Sequence, residues 1–214
     1  QAPARRQGGE CALAGGRGPW PDGRMSDPYF FGYGSLVNRR THDFPEPRKA
    51  CVTGWRRAWR RSPLRQRPFL TVLPDPGSEV LGLVAMVPGA DWAALDDREH
   101  AYARHDISGV VTHEVGREIE VALYAIPEGA HHDPGDDHPV VLSYVDAVVQ
   151  GYLTEYGIDG VGHFFATTTG WHVPVLDDRA HPVYARAQGL TEIEREVVDE
   201  GLAAVGARVV RHRL

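Results

Sequence analysis

Tyr29-Phe30-Phe31-Gly32-Tyr33-Gly34-Ser35-Leu36, followed by Val37 and Asn38, is the stretch on which the fold turns. Three consecutive aromatics have high strand propensity, and the glycines after them stop the strand. Glycine admits positive φ, so the N–H groups of the turn can converge on one point as a small anion or oxyanion nest. Ser35 adds a hydroxyl. On residue types alone, a tight strand-to-helix turn with Ser35 as N-cap accounts for the same residues. The turn is not a phosphate loop, since no Gly-Lys-Ser/Thr follows, and it lacks the third glycine of a dinucleotide fingerprint.

Downstream, residues 50–61 predict a second strand with Trp55 and Trp59 on one face. Residues 69–73 and 80–87 predict two more, bounded by Pro-rich turns. Residues 90–103 carry helix formers and predict a helix. Residues 107–115 and 118–126 predict a hairpin around Gly116. The helical period of Val141, Val145, Val148, Tyr152 and Tyr156 predicts a helix over 140–156, with Gly157 as its cap. A further helical segment is expected at 163–168. Thr191 and Glu194 form a capping-box pattern opening a last helix that runs to about 204. Early, mostly local strands and late helices mean α+β: a small mixed, partly closed β-barrel of about six strands flanked by helices.

Upstream, residues 1–24 are dense in Gly, Pro, Ala and Arg without a period. They are expected to be a disordered or non-native extension to a single domain spanning 25–214. The 214 residues suffice for one domain with a real core. Twenty-three basic side chains against 29 acidic ones give a net charge of −6, unlike a nucleic-acid binder. There is no apolar run long enough to span a membrane. Cys11 and Cys51 are the only cysteines and have no metal-site spacing. They predict reduced thiols and a cytoplasmic location rather than a disulfide scaffold.

Asp96, Asp97 and Glu99 cluster on the 90–103 segment, followed by His100, Tyr102, Arg104, His105 and Asp106. Asp96 and Glu99 are three apart and could share a helix face. Neighbouring carboxylates raise one another's pKa, which suits one of them to act as a base. A solvated helix face is the plainer reading.

Tyr33-Gly34-Ser35-Leu36 paired with Leu95-Asp96-x-x-Glu99 and Tyr102-x-Arg104-x-x-Ile107 resembles the gamma-glutamylcyclotransferase-like family. Gly54-Trp55-Arg56-Arg57 and the apolar strand Val80 to Val87 fall in the same order. The resemblance covers about residues 28–126, and more loosely Tyr144-Val145-Asp146 and Thr168-Thr169-Gly170-Trp171. It implies a gamma-glutamylcyclotransferase that converts a small gamma-glutamyl peptide or amine to 5-oxoproline, releasing the amino acid or amine. Glu99 would be the general acid/base. Tyr33, Gly34, Ser35 and Leu36 would hold the substrate, with Tyr102 and Tyr144 as phenols around it. Such a reaction requires neither a metal nor a redox cofactor. The alternative is a catalytically silent domain of the same fold that binds a small ligand or a partner.

Rival constellations are weaker. His131, His132, Asp133, Asp136, Asp137 and His138 could bind a divalent cation, but Pro134, Gly135 and Pro139 mark a loop without helical ligand spacing. Arg56, Arg57, Arg60, Arg61, Arg65 and Arg67 with Trp55 and Trp59 make a basic-aromatic patch, read here as a solvated strand face. Ser35 with His163 or His181 as base lacks a nucleophile elbow. Residues 175–187 concentrate Asp177, Asp178, Arg179, His181, Tyr184 and Arg186. Arg179 or Arg186 could pair with a substrate carboxylate, or the loop could be salt-bridged surface.

Overall fold

A computed structural model describes residues 27–61, 67–100, 102–127, 129, 131–135 and 138–211, and the expected extension over 1–24 lies outside them. Strand β1 (Tyr29–Gly32) is buried along its whole length. Tyr29 and Phe31 point into the main core, while Phe30 joins a second apolar cluster with Leu36, Leu95 and Tyr124. A strand covered on both faces needs no polar alternation, which is why three aromatics run together.

Strands β2 (Arg48–Arg60) and β3 (Phe69–Met86) form a long antiparallel pair. The sequence predicts two strands where β3 is one. Its partners jump from Pro74 to Glu79 opposite the irregularity at Thr53/Trp55, so Pro76 sits in a bulge rather than a turn that ends the strand. Helix α1 (Ala93–Arg98) is followed by β4 (Ala103–Asp106), β5 (Val111–His113) and β6 (Val121–Ala125). The sheet order is β4-β6-β1-β3-β2-β5, with β6 parallel to β1, and it curls into a half-barrel. The expected 90–103 helix therefore stops early, because Ala103–Asp106 is needed to pair with β6. Nor is there a hairpin around Gly116: β5 pairs with β2 instead. Long-range pairing overrides local propensity in both places.

Strand β7 (Val140–Val141) leads into helix α2 (Leu142–Thr167), which turns a corner at Gly157 (φ +67°) and resumes through the segment expected to be helical at 163–168. Strand β8 (Thr168–Thr169) adds to β2, and β9 (Val175–Leu176) joins β7. Helix α3 (Glu192–Ala204) opens with the expected capping box of Thr191 and Glu194. Strand β10 (Val209–Val210) completes a three-stranded parallel sheet, β10-β9-β7, that the sequence did not signal.

Helix α2 docks on the turn after β1. A Cβ at Gly151 would lie 2.7 Å from the Asn38 nitrogen, so only glycine permits the approach. Asn38 Nδ2 donates to the Ala147 carbonyl at 2.8 Å and to Gln150 Oε1 at 3.0 Å. The turn is thus clamped between sheet and helix. Cys51 is fully buried in β2 and disulfide-bonded, where the sequence predicts reduced thiols; its partner lies outside the described residues. Among the described residues no helix is long and apolar enough to cross a membrane.

Candidate active site

The glycine turn folds into a short 3-10 turn, residues 35–37, closed by Val37 N–H on the Gly34 carbonyl (2.9 Å) and Asn38 N–H on the Ser35 carbonyl (3.1 Å). Beside it is a cavity of about 270 Å³ that continues into an inner recess of about 40 Å³. Ser35, Leu70, Glu99, Tyr102 and Tyr144 line both parts. Tyr33, Gly34 and Leu36 line the recess. All seven residues singled out from the sequence therefore meet at one place.

Each arrives by a different route. Glu99 is the C-cap of α1, with non-helical backbone (φ −103°, ψ 26°). That departure from the helix lets Arg98 and Glu99, adjacent in sequence, face the same cavity. Arg98 donates to Ser35 Oγ at 3.2 Å and to the Thr41 carbonyl at 3.1 Å, and its Nε lies 3.4 Å from Glu99 Oε1. Arg98 thus ties the carboxylate to the glycine turn. Burial lowers the pKa of its guanidinium, but a group that starts near 12.5 stays charged.

Tyr144 lies in the first turn of α2 and accepts from the Ser35 N–H. Its oxygen is so close to the turn that a Cβ on Gly34 would lie 2.5 Å from it. Burial first, then the negative charges around Tyr184 and Glu99, push the Tyr144 phenol well above its ordinary pKa. It remains a protonated donor at neutral pH. Tyr102 donates to the Leu70 carbonyl at 3.0 Å, and Tyr33 to the Tyr124 carbonyl at 2.7 Å. Those hydroxyls brace the wall.

Asp96 departs from expectation. It does not share the cavity with Glu99. It accepts from Tyr124 Oη at 2.5 Å and lies 3.9 Å from Arg104. With α1 ending at Arg98, the two carboxylates do not lie on one helical face.

Several cavity residues were missed or left undecided by the sequence. Arg98 carries no periodic signal. Trp59 and Arg67 belong to the patch read as a solvated strand face, yet both line the cavity. Arg57 of the same patch is fully buried. The 175–187 loop divides: Arg179 is spent on Asp146 (2.7 Å) and Asp199 (2.8 Å), whereas Tyr184 and Arg186 line the cavity. Asp178 holds that loop in place, accepting from Ser143 N–H (2.8 Å), Ser143 Oγ (2.6 Å) and Val183 N–H (2.8 Å). Tyr184 then packs edge-on to Tyr144 with centroids 5.1 Å apart.

The rival sites are not assembled. His163 accepts from Arg57 and His181 is exposed, so neither reaches Ser35. In the 131–138 loop, Asp133 pairs with Arg60 (2.7 Å) and Arg61 donates to His138 (3.4 Å); Asp136 and Asp137 lie outside the described residues. Among the described residues no three metal-capable side chains cluster.

The family model described as gamma-glutamyl cyclotransferase, AIG2-like, matches residues 30–145, just over half of the chain. A solved structure titled gamma-glutamyl cyclotransferase is similar at 16% identity and a TM-score of 0.51, covering 81% of this chain and 99% of that one. An uncharacterized protein from Homo sapiens is similar at 15% identity and a TM-score of 0.52, covering 82% and 99%. At such identities the two structures speak for the fold alone. No curated protein matches.

Proposed function

Because this chain belongs to the gamma-glutamyl cyclotransferase, AIG2-like family, we propose that it is itself a cyclotransferase. It would cyclise a gamma-glutamyl peptide or amine to 5-oxoproline and release the free amine. The observation that carries this reading is the convergence of Glu99, the 33–36 turn and Tyr144 on one recess.

The substrate's own α-amine attacks its γ-carbonyl. A C–N bond forms within the glutamyl unit and the bond to the leaving nitrogen breaks. The α-ammonium must first lose a proton. Moving that proton to an ordinary carboxylate costs about 5 kcal/mol. Intramolecular attack from a fixed near-attack geometry offsets that cost, since orientation is worth roughly 7–11 kcal/mol. Glu99 takes the proton and returns it to the leaving nitrogen. The Tyr144 hydroxyl and the N–H groups of the glycine turn are the donors for the oxyanion that develops at the γ-oxygen. Arg98 is a positioning residue, holding Glu99 and Ser35 in fixed relation.

The test is 5-oxoproline release by the purified protein from gamma-glutamyl dipeptides and gamma-glutamyl alkylamines, with Glu99→Gln as control. Release by the wild type that collapses in the variant is expected. No release from any of these compounds by folded protein would leave the silent-domain reading in its place.

A further inference from the structure

The cavity is larger than a gamma-glutamyl group needs, and its outer part has a distinct character. Trp59, Arg67, Tyr184 and Arg186 line the larger compartment but not the recess. Three of them carry a buried polar atom with no hydrogen-bond partner among the described residues: Trp59 Nε1, Arg67 Nη1 and Tyr184 Oη. Folded proteins rarely leave such groups unpaired, because each forfeits its water without a replacement. Here three orphans line one compartment. An indole N–H and a guanidinium N–H can only donate, and a phenol O–H donates readily. Their common complement is an acceptor-rich group.

Charge points the same way. Three arginines (Arg67, Arg98 and Arg186) and a single carboxylate, Glu99, line the cavity. Arg98 is engaged with Ser35, Thr41 and Glu99. Arg186 lies near enough to Arg98 to oppose its charge. The outer compartment therefore holds uncompensated positive charge and no carboxylate of its own.

Resting on the cyclotransferase reading above, we propose that this outer compartment is a carboxylate site for the leaving half of the substrate. It selects gamma-glutamyl amino acids or peptides with a free carboxylate over gamma-glutamyl amines. A carboxylate accepts up to about four hydrogen bonds, so Trp59, Arg67 and Tyr184 can share one group while Arg186 supplies charge at the mouth. An uncharged alkyl tail leaves all three donors unpaired, and an ammonium tail meets arginines.

The experiment compares gamma-glutamylglycine with gamma-glutamylglycinamide, which differ only in that carboxylate. The acid should be preferred by about 10- to 100-fold in kcat/KM, chiefly through KM, as loss of a charge-assisted hydrogen bond implies. Arg67→Gln and Tyr184→Phe should each narrow the ratio. Tyr184→Phe guards against misfolding of the first variant, since its hydroxyl has no partner to lose. Equal rates for acid and amide, or an unchanged ratio in both variants, would overturn the carboxylate site while leaving the cyclotransferase intact. If neither compound yields 5-oxoproline, the reaction assignment fails. Calorimetric titration of both compounds then decides the site alone: tighter binding of the acid supports it, and equal or absent binding of both overturns it.

Discussion

Arg57 and Arg67 are both arginines with buried donors, yet their surroundings differ completely. Arg57, in β2, uses all five N–H groups. They go to Thr168 Oγ1 (3.1 Å), the Leu81 carbonyl (3.1 Å), Tyr152 Oη (2.7 Å), His163 Nδ1 (3.3 Å) and Thr167 Oγ1 (2.7 Å). Its ring contacts with Tyr152 and Phe164, at 5.2 and 5.3 Å, add cation–π attraction. None of these partners is a carboxylate, so the cation is held by dipoles alone, and burial lowers its pKa. Arg67, just before β3, faces a cavity with Nη1 unpaired among the described residues. The first arrangement is closed and stitches β2, β3, α2 and β8 together. The second leaves donors for a ligand. Variants of the closed centre should cost stability, and variants of the open one should cost catalysis or binding.

The largest effect sharpens the open side. Glu99→Gln keeps shape and hydrogen bonding but cannot take a proton at neutral pH. Turnover should fall by a factor on the order of 10²–10⁴, with little change in melting temperature. Asp96→Asn should do far less, since Asp96 bonds to Tyr124 outside the cavity. Rates of 5-oxoproline formation for the two variants check this, and equal losses would assign the acidic cluster a structural role.

Next comes the closed side. Arg57→Leu strands the Leu81 carbonyl and several hydroxyls in the core. Unpaired buried groups cost about 1–3 kcal/mol each, though hydroxyls can re-pair, so a loss of about 3 kcal/mol is expected in urea unfolding. Tyr152, which accepts from Arg57, lies 2.9 Å from the Tyr33 carbonyl at the entry to the glycine turn. Some loss of activity should therefore accompany the loss of stability. Stability within error of wild type would show that Arg57 is not the stitch it is taken for.

His163 gives the closed centre a pH signature. Burial first, and then the Arg57 charge, push its pKa down to about 4. In the unfolded chain an ordinary histidine titrates near 6.5. The unfolded state thus binds the extra proton between those values. Stability is full above about pH 6.5 and falls as pH drops toward 4. Glu79, 3.9 Å from Nε2, favours the charged ring, but the Arg57 contact at Nδ1 is shorter and opposes it. The ring is partly exposed and solvent screens it, so about 1–2 kcal/mol is expected rather than the full shift. His163→Gln should flatten the stability profile between pH 7.5 and 5. A wild-type profile already flat across that window would mean that Glu79 wins.

These two centres were not equally legible in the sequence. The glycine turn and Glu99 stand out because short motifs with special residues carry their chemistry locally. Thr191 and Glu194 announced α3 for the same reason, a cap being a four-residue event. Arg57 and Arg67 were indistinguishable, since both belong to one run of arginines. One faces the core and the other a cavity only because β2 pairs with β3, β5 and β8 at particular registers. Arg98 was invisible because helix α1 ends beneath it, and that end is set by the pairing of β4 with β6. The β10-β9-β7 sheet, built from two-residue strands, is too short to leave a period.

The smallest effect is the most discriminating. Tyr184→Phe removes only the hydroxyl. The edge-on contact with Tyr144 survives, because it uses the ring and not the oxygen. In a closed centre such a change costs a hydrogen bond. Here the hydroxyl is buried without a partner among the described residues, so the free protein loses nothing and is relieved of a desolvated polar group. Stability should rise by about 0.5–1 kcal/mol, which for a chain of this size is a gain of roughly 1–4 °C in melting temperature. The same substitution should raise KM for a carboxylate-bearing substrate, so stability and binding move in opposite directions. A polar group retained at a cost to the free protein is what a binding site requires and a scaffold does not. A fall in melting temperature would mean that the hydroxyl is satisfied before substrate arrives, and the contrast between the two centres would then rest on Arg67 and Trp59 alone.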